Sequence, residues 1–94
     1  SAPVDIDTDE VGKAMAGMAG VEQVHDLHIW QITSGFPALS AHILVGREDD
    51  CHTIRRDVDS LLKEHYDIEH ATLQVEHVPG PELIALDTPD GGKS

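Results

Sequence analysis

The chain is short of almost everything that would announce a chemistry. Aromatic residues make up 3% of its 94 residues, namely Trp30, Phe36 and Tyr66. A domain this small buries a limited fraction of its surface even with a rich core, so a thin core predicts help from a partner chain or a bound metal. Cysteine occurs once, at Cys51, which excludes an internal disulfide framework and a zinc ribbon of paired cysteines. A lone thiol also accords with a reducing compartment. Basic residues number six against 18 acidic ones, a formal charge of −12 with histidine neutral. Phosphate binding needs a basic face, so nucleic acid is excluded as a partner and anionic lipid is disfavoured. No apolar run approaches the ~20 residues of a membrane span, and no signal peptide is visible.

What the chain does have is histidine, seven in all, set among many carboxylates. Imidazole and carboxylate together suit divalent transition ions.

Hydrophobic periodicity and punctuation predict five elements. Asp7 with Glu10 three residues on reads as a helix N-cap, and Val11, Met15 and Met18 form the apolar stripe of a helix over 8–19 that Gly20 stops. Residues 22–33 read as a strand and 38–47 as a second, joined at Ser34-Gly35-Phe36-Pro37 into an antiparallel hairpin. Asp50 caps a helix over 51–65, with Ile54, Val58, Leu61 and Leu62 as its buried stripe. Residues 68–77 form a third strand. Residues 1–7 are expected to be a disordered start or a cloning remnant, 8–77 the functional domain, and 78–94 a flexible tail whose Glu82–Leu86 segment is apolar and sticky. The order α-β-β-α-β makes an α+β, open-faced, ferredoxin-like sandwich, with two helices on one face of a three-stranded sheet.

Alternation along each strand then selects the uncovered face. Ile43 and Val45 point to the core, sending Ser40 and His42 outward. Leu73 and Val75 point in, sending Gln74 and Glu76 out. Leu27 and Ile29 are the best core pair of the first strand, sending Asp26, His28 and Trp30 out. A hairpin centred near Gly35 places His28 opposite His42. His28, His42 and Glu76 thereby converge as nitrogen and oxygen donors suited to Zn²⁺. His65 near a helix end and His70 have blander roles as dipole partner and solvated side chain. Cys51 is a small residue at a helix start, with His52 beside it but no third orienting group for a nucleophile.

The runs Gly20-Val21-Glu22-Gln23-Val24-His25-Asp26-Leu27-His28-Ile29-Trp30, Ser34-Gly35-Phe36-Pro37-Ala38-Leu39-Ser40-Ala41-His42 and Ile68-Glu69-His70-Ala71-Thr72-Leu73-Gln74-Val75-Glu76 resemble the cytoplasmic C-terminal domain of cation diffusion facilitators, the zinc-type efflux transporters. The resemblance covers about residues 8–77. It implies a metallochaperone-like fold, a V-shaped homodimer attached to a transmembrane domain on the cytoplasmic side of the cell membrane, and no enzymatic activity. It also implies divalent metal bound near the subunit interface, favouring a closed, transport-active arrangement. Carried over residue by residue, the implied ligands are His25, His42, His52 and Glu76. Zinc is the default ion, with cobalt, cadmium, nickel and manganese open. Some members have histidine where Gln74 or Glu69 stands, which thins the ligand set, and the Cys-x-x-Cys tail of some eukaryotic members is absent.

Alternation and resemblance disagree about the first strand. Alternation pairs His28 with His42; the resemblance puts His25 there, which requires a bulge around residues 25–27. His25 is taken as the ligand and His28 as a reserve or supporting group. The alternative function is a constitutive dimerisation module with no working metal site. A metal-dependent hydrolase is poorly supported, since a three-stranded sheet offers little concavity.

Overall fold

A computed structural model describes residues 6–32 and 35–79. The elements run α1 (Thr8–Ala16), β1 (Val21–Gln31), β2 (Pro37–Val45), α2 (Cys51–Tyr66) and β3 (His70–His77), the expected α-β-β-α-β order. The sheet order is β1-β2-β3; β1 and β2 are antiparallel, and α2 carries the chain over to a β3 parallel to β2. β2 is central and the most apolar, and its inward residues Leu39, Ala41, Ile43 and Val45 are all buried. Val11 and Met15 of α1, with Ile54, Val58 and Leu62 of α2, close over them. No helix among the described residues is long and apolar enough to cross a membrane.

The caps explain where the helices begin and end. The Asp7 carboxylate accepts the Asp9 amide, and the Asp50 carboxylate accepts those of His52 and Thr53. The Thr53 hydroxyl donates to the same Asp50 carboxyl at 2.9 Å, and that bond is the first cause of its lowered pKa, ahead of the two amides. At the other end of α2, Asp67 takes a left-handed conformation (φ 57°), its N–H donating to Lys63 O and that of Ile68 to Leu62 O. This is the paired-bond helix stop with its accompanying apolar contact, since Leu62 and Ile68 are both fully buried.

Several boundaries differ from the sequence expectation. α1 stops at Ala16, not residue 19, because Gly17 caps it and Met18 bonds back to Met15 O in a tighter turn. Gly20 (φ 88°) instead serves the entry to β1, where a Cβ would lie 2.5 Å from Ile54 Cδ1. β1 ends at Gln31, β2 ends at Val45, and β3 begins at His70, Ile68 being used as the buried stop of α2. The expectations for residues 1–5, Thr33, Ser34 and 80–94 lie outside the described residues.

Candidate metal centre

The side of the sheet away from the helices is uncovered, as the element count requires. β2 places Ser40 and His42 there, and the parallel register sets Thr72 beside Ser40, Gln74 beside His42 and Glu76 beside Leu44. β1 supplies the third strand of the site by an irregular route. His25 pairs with His42 and His28 with Ser40, so Asp26 and Leu27 together oppose Ala41. This two-against-one bulge is accompanied by a left-handed backbone at Asp26 (φ 52°). The bulge resolves the disagreement over β1: His25 and His28 both face outward although they are three residues apart. The expected facing of His28 and His42 is thus corrected to His25 and His42. Val24, Leu27 and Ile29 pack against the core from the other side.

The site is built on His42. Its ring lies 6.1 Å from that of His25, centroid to centroid, tilted by 57°. Its Nε2 comes within 3.2 Å of Glu76 Oε1. The second Glu76 oxygen, Oε2, accepts a hydrogen bond from Gln74 Nε2 at 3.1 Å, which fixes the carboxylate. Nε2 is shut off from solvent and, this 3.2 Å approach to the carboxylate apart, has no hydrogen-bond partner among the described residues. Leaving a buried polar nitrogen unpaired costs about 1–3 kcal/mol. An imidazole nitrogen held against a carboxylate oxygen in this state is a donor pair of the type divalent transition ions take. Beside it a shallow depression of about 210 Å³ is lined by Asp26, His28, Ser40, His42, Thr72 and Gln74.

The remaining residues named from sequence are not gathered equally. Among the described residues no three histidine, cysteine, aspartate or glutamate side chains converge as a set able to hold a metal. His25 and Glu76 both flank His42 without closing on one point. His52 stands exposed at the start of α2, its backbone N–H on Asp50 Oδ1, and is not brought to the His42–Glu76 pair. Among the described residues, a full coordination sphere therefore needs side-chain rotation or donors from outside this set.

Asp26, placed from sequence on the uncovered face within a bulge around residues 25–27, carries that bulge and so aims His25. One residue was missed from sequence. His77 donates from Nε2 to Asp49 O at 2.8 Å and ties the end of β3 to the loop before α2. Only the fold brings those two residues together.

Comparison with known proteins agrees with this architecture. Residues 3–78 match the family model described as cation efflux protein, cytoplasmic domain. A cadmium, cobalt and zinc/H(+)-K(+) antiporter of Bacillus subtilis is 42% identical over 79 residues, covering 79% of this chain and 24% of that protein. A probable zinc transporter of Dictyostelium discoideum is 43% identical over 74 residues, covering 79% of this chain and 14% of that protein. The chain thus spans at most about a quarter of the length of these relatives. Among solved structures, the metal-bound C-terminal domain of the CzcD transporter from Cupriavidus metallidurans superposes with a TM-score of 0.73 at 33% identity, covering 76% of this chain and 99% of that one. The MamM C-terminal domain shares the fold at 19% identity, with a TM-score of 0.64, covering 74% of this chain and 87% of that one. The matched family is one of transporter domains rather than enzymes, and this chain belongs to it: it is a cytoplasmic domain of the cation efflux protein family.

Proposed function

We propose that this domain senses divalent metal, zinc first among the candidates, and uses it to draw two copies together on the cytosolic side of an efflux transporter. The observation that carries this reading is the occluded His42 Nε2, which has no hydrogen-bond partner among the described residues and lies 3.2 Å from the Glu76 carboxylate, with His25 across the strand. Support comes from the relatives: the CzcD domain is metal-bound, and the Bacillus protein is named for cadmium, cobalt and zinc. His42, His25 and Glu76 are the proposed ligands in one copy. His52 is a fourth donor on the helix layer, available to a site completed between chains.

The physics of a switch follows from charge. Two copies carry twice −12, or −24, so acidic lobes repel. A doubly charged ion held where they meet offsets that repulsion. Metal shifts an open–closed equilibrium only by binding the closed form more tightly, and moving it from mostly open to mostly closed takes about 5.5 kcal/mol of differential affinity. Ligands from two chains supply such a difference because the open form cannot present both sets.

Calorimetric zinc titration combined with small-angle scattering tests the reading. Wild type should bind zinc and become more compact as the sites fill. The His25→Ala/His42→Ala double variant, altered only on the uncovered face, should lose the tight site while keeping its fold. Unchanged binding in that variant would refute the ligand assignment, and no compaction at saturating zinc would refute the switch. A second reading, a constitutive dimerisation module, draws on the failure of three ligands to converge among the described residues. Thermal melting separates the two. A metal binder gains about 2.7 kcal/mol at a hundredfold excess over Kd, whereas a module without a site gains nothing.

A further inference from the structure

Gln74 and Glu76 lie two residues apart on β3, so both side chains stand on the uncovered face of the sheet. β3 ends the order β1-β2-β3, which gives Glu76 a neighbouring strand on one flank only among the described residues. Its side chain is 53% exposed. A glutamate in such a setting turns among several rotamers, and each presents its two oxygens differently.

The parallel register sets Gln74 beside His42 and Glu76 beside Leu44, so His42 and Glu76 are diagonal neighbours. They meet only if Glu76 leans back along β3 toward the level of residue 74. Gln74 holds it there. Its amide donates from Nε2 to Glu76 Oε2 at 3.1 Å, and this leaves Glu76 Oε1 3.2 Å from His42 Nε2. The two carboxylate oxygens are thereby made unequal: Oε2 is engaged by the amide, and Oε1 faces the imidazole nitrogen. Zinc takes four donors and is satisfied by a single carboxylate oxygen. Larger ions fill more positions and readily take a carboxylate through both oxygens, as calcium does.

We infer that Gln74 is a positioning residue that sets the metal preference of this face. By holding Glu76 Oε2 it makes Glu76 a one-oxygen donor beside His42, which favours a small, four-coordinate ion over a larger one that would clamp both oxygens. Gln74 acts through Glu76 and is not itself a donor. The inference rests on the proposed reading of His42 and Glu76 as ligands.

Two measurements test it, on the wild type and on Gln74→Leu and Gln74→Asn. Position 74 is exposed on the sheet, so neither substitution opens the core. Leucine keeps the bulk without the amide; asparagine keeps the amide on a stem one methylene too short to reach. Without metal, three-bond NMR couplings should show Glu76 in one χ1 rotamer in the wild type and averaged among rotamers in both variants. Averaged couplings in the wild type would overturn the inference. Calorimetry with zinc and, separately, cadmium gives the second readout. Both variants should lose about tenfold or more in zinc affinity while cadmium affinity holds, so that the zinc-to-cadmium ratio falls by the same factor. Unchanged zinc affinity would overturn the inference, and so would equal losses for the two ions. Either result, with zinc still bound by the wild type, leaves the metal reading standing. Absence of zinc binding in the wild type would overturn that reading and this inference with it.

Discussion

His25 stands across the strand from His42 because the residue after it, Asp26, adopts a left-handed backbone that inserts one extra position into β1. Aspartate tolerates this conformation better than most residues, and a β-branched side chain tolerates it badly. Asp26→Val should therefore lose about 1–2 kcal/mol of stability in urea unfolding. Zinc affinity should fall with it, since relaxing the bulge swings His25 out of register. Asp26→Gly should keep both. Equal zinc affinity in the valine and glycine variants would show that the bulge does not aim the histidine.

Asp67 presents the same backbone problem without a functional return. It ends α2 at φ 57°, a position glycine fills without strain. Asp67→Gly should raise stability by about 1 kcal/mol, visible as a higher melting temperature, and should leave metal binding unchanged. Ile68→Ala, at the buried stop beside it, should cost about 2–5 kcal/mol by opening a cavity against Leu62.

These positions also show how far the residues alone carry a reader. Element order, the inward stripe Leu39, Ala41, Ile43 and Val45, and the caps at Asp7 and Asp50 were legible because each rests on local periodicity or a short-range bond. The pairing of the hairpin was misjudged by the same reasoning. Strict alternation assumes an unbroken ladder, and a bulge changes the parity of everything on one side of it. Only the resemblance to transporter domains favoured His25. The approach of His42 Nε2 to Glu76 was legible as a shared face, since both strands alternate cleanly. The absence of a third converging ligand among the described residues was not, because side-chain closure depends on distances that spacing does not encode. The His77 contact with Asp49 O joins residues 28 positions apart and has no local signature.

Asp50 should give the domain an acid limb. Its carboxylate is held below the usual 3.8, first by the Thr53 hydroxyl and then by the amides of His52 and Thr53. In the unfolded chain those bonds are gone, so the unfolded state takes up the proton at higher pH than the folded one. The contribution is thus fully present above 3.8 and is lost as pH falls through the lower folded value. Asp50→Asn removes the ionisation and should lower the melting temperature at neutral pH. The gap between the two proteins should narrow as pH drops below 3.8. A gap that stays constant across that window would mean the cap's charge contributes nothing.

Protons should compete with metal at the uncovered face. An imidazole coordinates only when neutral, so each histidine ligand must give up any proton before zinc binds. Zinc affinity should therefore fall as the solution is acidified and protons take the imidazole nitrogens. The steepness counts the ligands. With His25 and His42 both coordinating, the limiting slope of log affinity against pH should approach about two per site, and His25→Ala should reduce it to about one. Glu76→Gln provides the complementary measurement. It keeps the amide-bonded shape beside Gln74 but removes the charge next to His42 Nε2, so it should weaken zinc binding while leaving the histidine-derived slope in place. Calorimetry in buffers of different ionisation enthalpy counts the released protons directly. A proton count that does not change in His25→Ala would remove His25 from the coordination sphere and leave His42 and Glu76 as the chain's own donors.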